Sequence, residues 1–180
     1  MSKLFDIHTF PASQKEKKRH PTPNRKEPKL SSRYCEILTN KGWSVNVNWE
    51  GMLPIDGTVI VVEDDATLRP LMADILTEVG AQVMAFETAD DALTYMLESH
   101  GKFPLVIVDE SLPGQIQGIE FIEMAKERWT TVAAILTSGY LIDPTTLPRG
   151  TIYLHKPWSL DDLVVSVASL LQPGYPISRA

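Results

Sequence analysis

The 180-residue sequence contains a single cysteine, Cys35. An internal disulfide is therefore impossible, and a cysteine-based metal site or nucleophile pair has little support. No apolar run approaches the roughly 20 residues needed to span a bilayer, and the start of the chain lacks the apolar core of a secretory signal. With 43% hydrophobic residues, the chain can bury a substantial core. These features predict a soluble, cytoplasmic protein with no membrane partner.

Charge is distributed unevenly along the chain. Residues 1–55 contain 10 basic and 5 acidic side chains, whereas residues 56–180 contain 7 and 18. From Pro11 to Ser32 the sequence is rich in proline, lysine and arginine and has few large apolar residues, which predicts disorder. The basic residues would attract phosphates, but no helix-turn-helix, zinc-finger or RNA-binding signature accompanies them. No specific nucleic-acid binding is predicted.

Three segments are expected: a basic, mostly disordered extension over 1–55, a main domain over 56–172 and a short tail over 173–180. Within the extension, Trp43, Val45, Val47 and Trp49 alternate with polar residues, which is the period of a short strand. An alternative is that residues 1–51 are a start-site artefact. The codons for Trp49-Glu50-Gly51 would form a purine-rich stretch, resembling a ribosome-binding site, directly before Met52.

From Thr58 onward, apolar strand-like runs alternate with segments of helical period. Strands are predicted at 58–63, 82–86, 104–109, 132–137 and 151–155. Three helices follow the first three strands, and a last helix begins at the N-cap Ser159 with Asp162 three residues later. This alternation predicts a doubly wound, five-stranded parallel sheet. The fourth crossover contains Pro144 and Pro148 and little helical period, so a very short helix or a loop is expected there.

Apolar residues at helical spacing define the inner face of each predicted helix. These residues are Leu68, Leu71, Met72, Ile75, Leu76 and Val79 in the first helix; Ala92, Leu93, Met96 and Leu97 in the second; and Ile119, Ile122 and Ala125 in the third. Pro70 is compatible with the first helix only within about its first turn.

Charged residues follow three of the predicted strands. Glu63 and Asp64 end the first, Asp109 ends the third and Lys156 ends the fifth. The carboxyl ends of parallel strands share the edge where ligands bind in open α/β sheets. If the first and third strands are neighbours, the carboxylates converge, which is unfavourable without a cation. Oxygen ligands favour Mg²⁺ or Mn²⁺. Asp65 is instead predicted to stabilise the start of the next helix.

Such an edge suits phosphoryl transfer. A carboxylate can attack phosphorus to form an acyl phosphate, with Asp109 as the candidate. Lys156 could pair with one phosphoryl oxygen, and the hydroxyl of Ser138 or Thr137 could donate to another. His155 is predicted to point to the opposite face of its strand from Lys156 and to pack or lie at the surface.

On these residues, the chain from about Thr58 to Gln172 resembles the receiver domain of two-component response regulators, which has a flavodoxin-like fold. The resemblance implies that Glu63, Asp64 and Asp109 bind Mg²⁺ together with the main-chain carbonyl of Ser111. Asp109 is then the phosphoacceptor.

The resemblance also assigns the remaining site residues. Lys156 and a hydroxyl would contact the phosphoryl group, and counting from Gly118 favours Ser138 over Thr137. Tyr153 matches the aromatic residue that turns inward when the hydroxyl residue moves to the phosphoryl group. The sequence departs from the family in three places: the loop Pro113–Gly118 is one residue longer than usual, Trp158 stands where phenylalanine is commoner after Lys-Pro, and the fourth helix is weak. The last departure argues against output through the family's usual face.

The implied function is that of a stand-alone, single-domain response regulator. It would accept a phosphoryl group from a histidine kinase or histidine phosphotransfer protein and signal through a downstream protein partner or a phosphorelay. It would not be an enzyme acting on external substrates, and no effector domain is expected after Leu171. Two alternatives are a phosphorylation-independent adaptor and an Asp-nucleophile phosphohydrolase. The hydrolase typically has a second aspartate where Ser111 stands.

Overall fold

The structure, a computed structural model, describes residues 49–179. Its strands are β1 (Trp49–Glu50), β2 (Thr58–Val62), β3 (Gln82–Phe86), β4 (Leu105–Asp109), β5 (Ala133–Ser138), β6 (Thr151–His155) and β7 (Ser178–Arg179). Its helices are α1 (Leu68–Glu78), α2 (Ala89–Glu98), α3 (Gly118–Arg128) and α4 (Leu160–Leu171), with a short 3-10 helix at Pro144–Thr146. No helix in this range is both long and apolar enough to cross a bilayer.

Five strands form a parallel sheet in the order β3-β2-β4-β5-β6. The doubly wound fold is therefore confirmed. The predicted first and third strands, β2 and β4, are neighbours, with Val62 paired to Val108. All five predicted strands are present with bounds within one residue of those expected. Long apolar runs identify the three central strands, β2, β4 and β5, because helices on both faces of a parallel sheet bury nearly all of their residues. The edge strands β3 and β6 are only partly buried.

Helices cover both faces of the sheet. Alternate residues of β2 divide between the faces: Val59 and Val61 pack with α1 and α4, and Ile60 and Val62 pack with α2 and α3. The predicted inner faces of the helices are confirmed except at Leu97, which is 57% exposed. It lies next to Met96, which is fully buried, so the apolar face of α2 is narrower than the sequence predicted.

The predicted helix starts are also present. Ser159 and Asp162 form a capping box at the start of α4, and Pro70 lies in the first turn of α1. The fourth crossover, between β5 and β6, contains only the 3-10 helix, whose first residue is Pro144. The prediction that this crossover has no normal helix is therefore confirmed. Ile142 and Leu147 from this crossover still pack against the core beneath α2 and α3.

Residues outside the predicted 56–172 domain pack against it. Trp49 and Ile177 lie against the core formed with α1 and α4, and β1 pairs antiparallel with β7. Gln172, only 5% exposed, donates to Gly51 O at 2.9 Å and accepts from Leu53 N at 2.8 Å. The predicted disorder of the basic extension, and the predicted strand before Trp49, lie outside the described residues.

These contacts lead to a prediction about the start of the chain. A chain that begins at Met52 lacks the Trp49 side chain and the Gly51 carbonyl, and we expect it to be about 2 kcal/mol less stable than one that begins at Trp49. Urea denaturation of the two chains measures the difference. Equal midpoints would show that β1 adds nothing to folding. N-terminal sequencing of the native protein would separately decide between Met1 and Met52.

Candidate functional site

The backbone fixes the charged residues that follow the strands. Glu63 N donates to Phe86 O at 3.1 Å, and Lys156 N donates to Ser138 O at 2.8 Å. These bonds extend the parallel ladders one residue past the end of β2 and β6. Side chains alternate between the two faces of a sheet, so Glu63, Asp109 and Lys156 share the face covered by α1 and α4. The sheet thereby brings the predicted charges together.

Three carboxylates converge at this edge. Oxygens of Glu63, Asp64 and Asp109 lie within 4.8 Å of one another. Glu63 and Asp109 are buried, with 1% and 6% of their surface exposed, while Asp64 is exposed. An all-oxygen set with one side open to solvent fits Mg²⁺, which prefers oxygen ligands and retains waters. The ligand chemistry therefore suits the predicted cation.

Lys156 bridges the two buried carboxylates. Its Nζ lies 2.8 Å from Glu63 Oε2 and 2.9 Å from Asp109 Oδ1. Burial raises the pKa of the Glu63 carboxyl above its usual range, although Lys156 acts in the opposite direction. Burial alone would lower the pKa of Lys156, but its hydrogen bonds and charge interactions with Glu63 and Asp109 together outweigh burial and raise it. The ammonium group is thus held in its charged form beside Asp109.

The two candidate hydroxyls have different partners. Thr137 Oγ1 donates to Asp109 Oδ1 at 3.3 Å, in agreement with the pairing of these residues across β4 and β5. Ser138 Oγ instead accepts from Tyr140 N at 3.0 Å. Both side chains are buried. Thr137 therefore contacts Asp109, whereas Ser138 supports the turn that follows β5.

Tyr153 is linked to the same turn. Its hydroxyl donates to Tyr140 O at 2.6 Å and lies 3.0 Å from His155 Nδ1. His155 is exposed, as predicted, and forms part of this surface contact on the other face of β6 from Lys156. The main chain of Tyr140 therefore has bonds to both Ser138 and Tyr153, the two residues that the family resemblance associates with switching.

Asp65 has the capping role expected for it. Its Oδ1 accepts from Thr67 N at 2.7 Å and from Leu68 N at 2.8 Å. The bond to Leu68 and the bond to Thr67 together lower the pKa of this carboxyl. The Asp65 side chain therefore stabilises the start of α1.

Two residues that were not predicted from the sequence support the site. Arg69 Nη1 donates to Glu63 O at 2.6 Å and to Asp64 O at 3.1 Å, which holds the backbone of the acidic segment in place. Glu110 Oε2 accepts from Ile119 N at 2.8 Å and so caps α3 directly after β4. Both residues act on backbone atoms, and no sequence motif signals such bonds.

Comparison with known proteins decides the family. The family model for the response regulator receiver domain matches residues 59–168. The chain belongs to the response regulator receiver family. The hydrogenase transcriptional regulatory protein HoxA of Cupriavidus necator is 28% identical over 121 residues, covering 64% of this chain and 24% of that protein. The transcriptional regulatory protein TcrA of Mycobacterium tuberculosis is 32% identical over 125 residues, covering 67% and 48%.

Solved receiver structures are similar as well. The receiver domain of the hybrid histidine kinase CckA is 28% identical, with a TM-score of 0.57 over 64% of this chain and 100% of that one. A receiver protein from Sinorhizobium medicae has a TM-score of 0.61 at 23% identity over 66% of this chain and 96% of that one, a likeness in fold. The chain spans 24% and 48% of the lengths of HoxA and TcrA.

Membership gives the site its general role. Receiver domains are the phosphoacceptor domains of two-component systems, interact with histidine kinases or phosphotransfer proteins, and bind Mg²⁺ at an acidic site. In this receiver Glu63, Asp64 and Asp109 form an acidic cluster that could hold such an ion.

Proposed function

We propose that this receiver takes a phosphoryl group from the phosphohistidine of a histidine kinase or phosphotransfer protein onto Asp109 in a Mg²⁺-dependent reaction. The signal then passes to a protein partner or to a further phosphotransfer step. The observation that carries the proposal is the position of Lys156 Nζ, 2.8 Å from Glu63 and 2.9 Å from Asp109, within a cluster of three carboxylates. A positive charge beside a buried carboxylate supports the role of Asp109 as the nucleophile.

The contacts of Asp109 suit it to attack phosphorus. Both Lys156 and Thr137 contact Oδ1 of Asp109. No residue in the range 49–179 donates a hydrogen bond to its other oxygen, Oδ2. Oδ2 would form the new O–P bond while the N–P bond of the phosphohistidine breaks and the imidazole nitrogen retains the electron pair. Glu63, Asp64, Asp109 and the main-chain carbonyl of Ser111 would hold Mg²⁺, which neutralises charge on the phosphoryl oxygens. Lys156 would then pair with one of those oxygens.

Replacement of Asp109 tests the proposal. We expect the wild-type protein to show a slower-migrating band on Phos-tag electrophoresis after incubation with acetyl phosphate and Mg²⁺, and Asp109→Asn to show none, because an amide oxygen is a poor nucleophile. EDTA should abolish the wild-type band. Asp161→Asn, which alters an exposed carboxylate paired with Arg179, is the matched control. A shift that persists in Asp109→Asn would refute the assignment.

The two hydroxyls should differ in effect. We propose Thr137 as the phosphoryl contact, because it pairs with Asp109 across β4 and β5 and its Oγ1 donates to Asp109 Oδ1 at 3.3 Å. Ser138, the next residue of β5, points to the other face of the sheet, where its Oγ accepts from Tyr140 N at 3.0 Å. Thr137→Val, which keeps the shape of the side chain, should therefore slow phosphorylation by about tenfold or more through loss of a donor to the phosphoryl group. Ser138→Ala loses only a contact within the turn after β5, so its effect should be smaller. Initial rates with acetyl phosphate measure both, and the opposite order would exchange the roles.

A further inference from the structure

The loop after the acceptor strand is held by a carboxylate from another part of the chain. Asp90, in the first turn of α2, accepts through Oδ2 from Gln115 N at 3.0 Å and from Ile116 N at 3.4 Å. These contacts join positions 25 and 26 residues apart in sequence. The loop that contains Ser111 is thereby tied to α2, a helix that contributes no residue to the acidic cluster.

The backbone of this loop lies directly against Asp90. Gly114 has φ +105°, and a Cβ added there would collide with Asp90 Oδ2. Within the loop, the Gln117 amide donates to Leu112 O at 3.0 Å and accepts from Leu112 N at 3.3 Å. The longer-than-usual loop therefore has one internal brace, Gln117, and one external anchor, Asp90.

Asp90 is not needed to start its own helix. Thr88 is the N-cap of α2, and its Oγ1 accepts from Asp91 N at 3.1 Å and donates to Asp91 Oδ2 at 2.8 Å. The adjacent residue Asp91 thus completes the cap, while Asp90 points to the loop. Two neighbouring carboxylates on one helix turn have separate tasks, and only Asp90 contacts the region after the acceptor.

We propose that Asp90 is a positioning residue for the Mg²⁺ site. The inference rests on the proposed function. Glu63 and Asp109 are fixed by the sheet and its extended ladders, whereas Ser111, whose main-chain carbonyl would complete the ligand set, lies in a loop. A loop ligand needs supporting contacts to be held in place for binding, and loss of such contacts typically weakens metal affinity by 10- to 100-fold. Asp90 supplies that support through the amides of Gln115 and Ile116.

The test is a Mg²⁺ titration of the full chain, in which the NMR amide chemical shifts of Asp109 and Glu110 report binding. We expect Asp90→Ala to weaken Mg²⁺ affinity by about tenfold. Asp91→Ala removes the same charge from the same helix turn and should leave the affinity nearly unchanged. Asp90→Asn should restore most of the affinity, because its amide oxygen can still accept from the loop. Hydrogen exchange in the metal-free protein should be faster at Gln115 and Ile116 in Asp90→Ala than in the wild type.

The possible results separate the two proposals. If the wild-type protein shows no Mg²⁺-dependent shifts, the Mg²⁺-dependent function fails, and the role of Asp90 fails with it. If the wild type binds Mg²⁺ and Asp90→Ala binds it equally well, only the role of Asp90 is refuted. Equal weakening in Asp90→Ala and Asp91→Ala would show that charge alone matters, which also overturns a positioning role.

Discussion

Lys156→Ala is expected to destabilise the metal-free protein by about 3 kcal/mol, because removing one partner leaves buried charge uncompensated. Lys156 contacts both Glu63 and Asp109, which are 1% and 6% exposed. Without the ammonium, these carboxylates repel each other and have lost their only cationic partner among the described residues. Phosphorylation by acetyl phosphate should also slow by about 100-fold, the usual effect of losing a charge that stabilises the transition state.

Urea denaturation with and without Mg²⁺ measures the effect on stability. Added Mg²⁺ should recover most of the loss, because a divalent cation at the carboxylates replaces the missing positive charge. Lys102→Ala is the control: its pair with Asp56 is short, at 2.8 Å, but the side chains are 77% and 83% exposed. Such a pair is worth at most about 1 kcal/mol. Equal losses in the two variants would show that the buried ion pair has no special importance.

The same variant has an expected pH dependence. Burial raises the folded-state pKa of Glu63 above its ordinary value. Protonation of Glu63 therefore favours the folded state, and this contribution is present at low pH and is lost as the pH rises through the folded pKa. Lys156 lowers that pKa, so its removal raises the folded-state pKa of Glu63 and moves the pH range over which this stabilisation is lost to higher pH. The stability deficit of Lys156→Ala should shrink as the pH falls from neutrality.

Much of the fold could be predicted because a parallel sheet covered by helices gives a simple sequence pattern. Each strand is an apolar run, and each ends in turn or charged residues. The absence of a normal helix between β5 and β6 was also predictable, since Pro144 and Pro148 interrupt that segment. The packing of Trp49 and Ile177 was not predictable, because it accompanies long-range bonds of the buried Gln172 side chain to backbone atoms of Gly51 and Leu53, over 100 residues earlier.

The site shows the same division. Glu63, Asp109 and Lys156 could be predicted because strand order and side-chain alternation bring strand ends together. Arg69, Glu110 and Asp90 could not, because each acts on main-chain atoms of a loop or helix start whose path the sequence does not reveal. The predictable residues are those placed by the sheet, and the missed residues are those that hold its loops.

Gly118→Ala is expected to have the second large effect. A Cβ at Gly118 would collide with the carbonyl of Asp109 and lie 2.7 Å from Glu110 Cα. Gly118 does not have a positive φ, so the requirement is for space and not for a special backbone conformation. Both neighbours are backbone atoms of the acceptor segment, which cannot yield as a flexible side chain can. The start of α3 must therefore move away from Asp109, at a cost of about 3 kcal/mol.

That displacement should also disturb the reaction, because it pulls α3 away from its cap Glu110 and from the backbone of the proposed acceptor Asp109. We expect Gly118→Ala to lower the urea midpoint and to slow phosphorylation by acetyl phosphate even at saturating Mg²⁺. Gly139→Ala is the matched control: it lies two residues after the proposed phosphoryl contact Thr137, and a Cβ there meets nothing within 4 Å. If both variants fold with wild-type stability, the close approach of α3 to the acceptor backbone is not a constraint on this site.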